Sequence, residues 1–214
     1  ITLDTTGPSF EAGSITITSD NNLTIGPDTF TNDTSWGIGG PTASDAGVGS
    51  VTYAVNTSST PPSSGWAGSI PSLDLGSASD GAKTVRLHAR DALGNTATFG
   101  STATRTLDTT GPTIEKNSSL TTDPDAGEMD ATATSISTFI TSDGGAGVDN
   151  TTYTLTGGTT GSFSGTEMTG LTDPDTSEIT YTIGASDTLG NSSAICVTHG
   201  KSGSDYYAHI VTCP

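Results

Sequence analysis

Apolar and polar residues alternate over short runs along much of the chain. Val51, Tyr53 and Val55 are separated by Thr52 and Ala54, and Val85, Leu87 and Ala89 by Arg86 and His88. Tyr181, Ile183 and Ala185 repeat the second run; Ile15 with Ile17, and Ile136 with Phe139 and Ile140, mark further strands. A period of two puts alternate side chains on one face of a pleated strand. No segment carries the 3.6-residue period of an amphipathic helix. Thr-rich strands broken by 28 Gly and 10 Pro predict an all-β protein with many turns. About seven short strands per hundred residues is the arithmetic of a two-sheet sandwich.

The chain also matches itself. Leu3-Asp4-Thr5-Thr6-Gly7-Pro8 returns as Leu107-Asp108-Thr109-Thr110-Gly111-Pro112. Ala46-Gly47-Val48 before Tyr53 returns as Ala146-Gly147-Val148 before Tyr153, and Asp91-Ala92-Leu93-Gly94-Asn95 as Asp187-Thr188-Leu189-Gly190-Asn191. The offsets of 104, 100 and 96 residues are collinear, which predicts two homologous domains within the 214 residues.

These motifs resemble prokaryotic immunoglobulin-like repeats, which build the stalks of adhesins and other surface proteins. The resemblance implies two tandem Ig-like Greek-key β-sandwich domains, residues 1–107 and 108–214, and a structural or adhesive task rather than catalysis. After Asn191 the second copy departs from the pattern. It runs through Cys196 to His199, turns, and returns from Tyr206 to Cys213, so an extra C-terminal hairpin strand and a terminal domain are expected. Ile1-Thr2-Leu3 matches Arg105-Thr106-Leu107, the end of a last strand. That segment is expected either to come from a longer array or to pair with another copy.

Charge sharpens this reading. Six Lys and Arg against 23 Asp and Glu leave a net charge of −17, which excludes nucleic acid as a default partner and makes cations the natural ones. No stretch is long and apolar enough for a membrane span. In an Ig-like sandwich the start of the first strand, the B–C loop and the F–G loop meet at one pole. Asp4, Asp45 and Asp91 with Asn95 would gather there in the first domain, and Asp108, Asp143 and Asp187 with Asn191 in the second. Three carboxylates with amide and backbone oxygens suit Ca2+, a hard cation taking six to eight oxygen ligands. The plainer alternative is that these residues only make turns. Asp108 follows Leu107 with no spacer, so calcium there would stiffen the linker. Asp123-Pro124-Asp125 and Asp173-Pro174-Asp175 are weaker calcium candidates and read rather as plain turns.

Cys196 and Cys213 predict a disulfide: in a hairpin turning near Gly203-Ser204, positions summing to 409 face each other, as these do. Six of the eight Asn residues lie in N-x-S/T sequons: Asn22, Asn32, Asn56, Asn117, Asn150 and Asn191. Together these features predict an extracellular or cell-surface protein, with glycans possible at the sequons. Enzyme signals are poor. His88 is expected on a solvated strand face, and His199 and His209 on opposite faces of the terminal hairpin. Gly200-Lys201-Ser202 lacks the glycine of a phosphate loop, and Gly161-Ser162-Phe163-Ser164-Gly165 has Phe where a nucleophile elbow needs Ser. The leading expectation is a non-enzymatic, calcium-stabilised building block of a stalk or self-assembling filament, partnered by copies of itself or neighbouring Ig-like domains. The alternative is a carbohydrate-binding module that meets surface glycans through Trp36 or Trp66, although core packing is the commoner role of such residues.

Overall fold

The alternating segments become strands, and the computed structural model holds no helix among the residues it describes. Those are 3–19, 21–25, 28–47, 49–116, 128–136, 139–149, 154–157, 162–164 and 167–213. Val48, Asp123 to Asp125, Asn117, Asn150, Tyr153, Gly161, Gly165 and the segment Ile1-Thr2 therefore lie outside the described residues. The chain divides into two compact units, Ile1–Thr109 and Thr110–Pro214.

The first unit contains β1 (Ser9–Phe10), β2 (Thr16–Thr18), β3 (Leu23–Ile25), β4 (Asp28–Thr31), β5 (Ser35–Gly39) and β6 (Ala43–Ser44). It continues with β7 (Val51–Asn56), β8 (Leu73–Asp74), β9 (Gly81–Asp91), β10 (Thr96–Thr98) and β11 (Ala103–Leu107). One sheet runs β10-β9-β11-β4-β3 with β7 on the other edge of β9; a second runs β2-β5-β8, and β1 pairs β6. Trp36 of β5 and Leu73 of β8 meet Val85, Leu87 and Ala89 of β9 in one core with Ile15, Tyr53 and Leu107. Inward faces of two sheets thus close on each other, as the period-2 runs require. The elements are more numerous and shorter than the pattern predicts. One cause is a bulge: β10 pairs β9 as far as Thr98↔His88, and β11 resumes at Ala103↔Val85. Phe99 to Thr102 thus face only Arg86 and Leu87, and Phe99 turns its ring toward Phe10, 5.4 Å between centroids.

His88 departs from expectation. It lies on the outward face of β9 yet is fully buried. Its Nε2–H donates to Asn56 Oδ1 (2.9 Å), and the Thr98 hydroxyl donates to Nδ1 (2.9 Å). The loop after β7 folds over this face: Ala67 bridges Tyr53, and Trp66 donates its indole N–H to Pro62 O at 3.0 Å. A strand face is solvated only where no loop covers it, and alternation does not report loops. Burial lowers the His88 pKa, a backbone hydrogen bond at Ser58 opposes this, and the neighbouring Arg86 charge lowers it further.

The second unit contains β12 (Thr113–Lys116), β13 (Glu128–Thr132), β14 (Ser135–Ile136), β15 (Phe139–Ser142) and β16 (Thr154–Gly157). Then come β17 (Ser162–Ser164), β18 (Glu167–Thr169), β19 (Ile179–Ser186), β20 (Ser192–Ser202) and β21 (Asp205–Val211). Its main sheet runs β16-β19-β20-β21-β13-β14-β18-β17, and β12 pairs β15. Ile136 and Met168 share one core with Tyr181, Ile183, Val197 and Ala208, so the two ends of this order curl over a common interior.

The extra C-terminal strand lies inside the main sheet. In the first unit β11 pairs β4 directly, in parallel, through Thr106↔Phe30 and Leu107↔Thr31. In the second, β21 lies between β20 and β13, antiparallel to both. The hairpin register pairs Ser202 with Asp205 and Cys196 with Val211, sums of 407 rather than the expected 409. A shift of two residues keeps every side chain on its face. Cys213, past the end of β21, still reaches Cys196 and the disulfide forms, with Cα atoms 5.0 Å apart. His199 pairs with Ala208 and His209 with Thr198, so the two histidines do fall on opposite faces.

His199 is fully buried. Its Nε2–H donates to Thr132 O at 2.9 Å, which leaves Nδ1 as the basic nitrogen, buried and without a hydrogen-bond partner among the described residues. Burial lowers its pKa below 6.5; the backbone bond to Thr132 and the facing Asp173 charge oppose this only in part. The unfolded chain therefore takes up the proton first. The stability contributed is complete above pH 6.5 and is lost as pH falls through the lower folded value. Melting of the second unit is expected to drop between pH 7.5 and pH 5, and His199→Gln to flatten that slope. Parallel slopes for variant and parent would contradict this assignment.

Candidate functional site

The two Asp-x-x-Gly-Asn segments make the same loop. Asp91 Oδ1 accepts the N–H groups of Leu93 (2.8 Å) and Asn95 (2.9 Å), and Asp187 Oδ1 those of Leu189 and Asn191 (both 2.9 Å). In each, the asparagine amide donates to the second carboxylate oxygen at 2.7 Å. Gly94 and Gly190 take φ of 94° and 88°, the left-handed region that a side chain would strain. Immediately beyond each loop the chain packs on the Thr-Thr-Gly-Pro segment. A Cβ on Gly7 would collide with Thr96 O, and one on Gly111 with the Ser192 carbonyl. The two motifs are thus halves of one structure.

That packing brings Asp4 to the loop. Asp4 Oδ1 accepts the backbone N–H and hydroxyl of Thr6, at 3.1 and 2.9 Å. Asp45 Oδ1 accepts Gly47 N–H at 2.8 Å, and a Cβ on Gly47 would run into Asp4 Oδ2. One carboxylate oxygen each of Asp4, Asp45 and Asp91 lies within 4.8 Å of the other two. Asp91 is buried, with 3% of its surface exposed. Burial pushes its pKa up, but the Asn95 side chain and the N–H groups of Asn95, Leu93 and Gly94 outweigh burial and hold it below the ordinary value. This carboxylate stays charged. In the second unit the loops of Asp143 and Asp187 repeat those of Asp45 and Asp91. Asp143 accepts Gly145 N–H at 3.3 Å and Gly147 N–H at 2.7 Å.

The donor set fits a hard cation in one specific respect. Asp4 Oδ2 is buried and has no hydrogen-bond partner among the described residues. A desolvated carboxylate oxygen beside two more carboxylates is costly unless a cation neutralises it. Asp4, Asp45 and Asp91 would hold such an ion through oxygens. Asn95 sits beside the acids. Its NH2 faces Asp91 Oδ2 and, at 3.3 Å, Asp4 O, so it orients the acids. Asn191 does the same for Asp187.

Other candidates are spread over the fold. Asp173-Pro174-Asp175 is a turn, with Asp175 N–H on Asp173 Oδ1 at 3.0 Å. Trp36 is fully buried and donates its indole N–H to Asp33 O at 2.8 Å. Trp66 is half-buried, with the Arg90 guanidinium 4.6 Å above its ring. Among the sequons, Asn22 is exposed and Asn32 half-buried. Asn56 holds His88, and Asn191 holds Asp187. No helix among the described residues is long and apolar enough to cross a membrane. No protein-family model, curated protein or solved structure matches the chain.

Proposed function

We propose that this chain is a non-enzymatic, extracellular structural or adhesive building block: two tandem Ig-like Greek-key sandwiches stabilised by calcium and able to join end to end. The observation that carries this reading is the acidic group of Asp4, Asp45 and Asp91, with one buried carboxylate oxygen left for a cation, on a loop motif that the second unit repeats at Asp187. The disulfide supports an oxidising, extracellular setting. An exposed leucine supports self-association: Leu93, in the loop of Asp91, is 62% exposed, whereas its repeat counterpart Leu189 is 5% exposed. The carbohydrate-binding alternative has less support, because Trp36 is committed to the core and Trp66 carries Arg90 on one face.

Calcium, when bound, supplies positive charge and oxygen coordination that tie Asp4 to the loops of Asp45 and Asp91. Occupancy of a folded-state site at a hundredfold excess over Kd stabilises by about 2.7 kcal/mol. Melting is therefore expected at a higher temperature in Ca2+ than in EDTA, with Asp4→Asn plus Asp91→Asn abolishing the difference for the first-unit transition. Negative-stain microscopy and sedimentation should find assemblies longer than one chain in Ca2+. A monomer in both buffers would overturn the self-assembling form of this reading.

A further inference from the structure

Gly47, exposed in the turn after β6, lies against two of the three acids of the first unit. Its N–H donates to Asp45 Oδ1 at 2.8 Å. Its Cα faces Asp4: a Cβ there would overlap Asp4 Oδ2 and stand 2.9 Å from Asp4 Cγ and 3.3 Å from Asp45 Oδ1. The room that a side chain would need is therefore the room that Asp4 Oδ2 occupies, buried and without a hydrogen-bond partner among the described residues. Backbone conformation is not what a glycine serves here, because φ of Gly47 lies outside the left-handed region. The repeat counterpart Gly147 is the reverse case. It takes φ of 83° and has no described atom within 4 Å of where a Cβ would stand. The repeated Ala-Gly-Val motif thus uses its glycine for two different physical reasons.

Asp4 is held on its other sides. Its Oδ1 accepts the N–H and hydroxyl of Thr6 at 3.1 and 2.9 Å, and its backbone oxygen accepts from the Asn95 amide at 3.3 Å. Close packing of Gly7 on Thr96 O fixes the segment that follows. With the backbone held, a methyl group at position 47 is accommodated by swinging the Asp4 carboxylate. That movement breaks the Thr6 bonds and takes the carboxylate from its place, where one oxygen lies within 4.8 Å of an oxygen of Asp45 and of Asp91. The fold loses little, because only the end of one half-buried side chain moves. A cation loses one of its few charged ligands.

We infer that Gly47 is a positioning residue of the first-unit cation site: by lacking a side chain it lets the Asp4 carboxylate stand beside Asp45 and Asp91, and a larger residue there closes the site to Ca2+. This inference rests on the calcium reading above and names the residue that sets the spacing of its ligands.

Calorimetric titration of the full chain with Ca2+, with melting of the first-unit transition in Ca2+ and in EDTA, tests it. Gly47→Ala is expected to weaken the first-unit site about ten- to a hundredfold, the usual effect of disturbing a residue that orients metal ligands. The rise in first-unit melting that Ca2+ brings should shrink with it. In EDTA the variant should melt with the parent. The Thr6 amide resonance, which reports the bond to Asp4 Oδ1, should shift in Gly47→Ala even without Ca2+, a sign that the carboxylate has moved. Gly147→Ala should do the opposite, lowering second-unit melting in EDTA through backbone strain and leaving the first-unit response to Ca2+ intact. Gly47→Ala binding Ca2+ as tightly as the parent would overturn the role of Gly47 and leave the site standing. Gly47→Ala melting far below the parent in EDTA would show that the glycine serves the turn rather than the carboxylate, and would overturn it too. A parent chain that takes up no Ca2+ would overturn the site and the role together.

Discussion

Trp36→Ala is expected to cost the first unit about 3–5 kcal/mol, the usual range for emptying a buried tryptophan site. Trp36 is the largest fully buried side chain, and it bridges the two sheets of its unit by meeting Val85, Leu87 and Ala89 across the core. Its indole N–H is also satisfied, by Asp33 O at 2.8 Å, so truncation strands an acceptor as well as leaving a cavity. Domains of this size hold only about 5–15 kcal/mol in reserve. The first-unit transition should therefore fall by more than about 10 °C in scanning calorimetry. The second unit has its own core and should melt unchanged. A shift of only a degree or two would mean that Trp36 does not join the sheets.

Cys196→Ser with Cys213→Ser is expected to have the next largest effect. The bridge spans 17 positions, and closing a loop of that size stabilises by about 3 kcal/mol in the chain-entropy model. Position adds to the consequence. β21 is not an edge strap: it separates β20 from β13 in the middle of the sheet, and Ala208 on it is fully buried in the core. Loosening it removes two ladders at once. The second-unit transition should fall by roughly 10 °C, and amides of β21 and β13 should exchange faster than those of β19. Oxidised and reduced protein melting together would show that the hairpin holds without its bridge.

Much of the fold could be read from local rules. The runs Val85-Leu87-Ala89 and Tyr181-Ile183-Ala185 face inward because strand geometry alone decides their period. The proximity of Cys196 and Cys213 needed only a hairpin, although the register was off by two residues. The meeting of Asp4, Asp45 and Asp91 followed from the loop order of a sandwich. What stayed hidden depends on contacts between distant segments. His88 is buried because the loop holding Trp66 covers its face, and the alternation of β9 carries no trace of that loop. The insertion of β21 between β20 and β13 replaces a parallel pairing of only two residue pairs in the first unit, a non-local exchange that no spacing signals. The bonds of the Asn95 amide hydrogens to Asp91 Oδ2 and Asp4 O likewise depend on a contact 91 residues apart in the chain.

The acidic loops are the centre of this account, and calorimetric titration of the chain with Ca2+ tests them most directly. The result expected is saturable binding in the millimolar range or tighter, with the first-unit site lost from the isotherm in Asp4→Asn with Asp91→Asn. No heat of binding at millimolar Ca2+, together with the same melting temperature in EDTA, would show that Asp4, Asp45 and Asp91 only shape their turns.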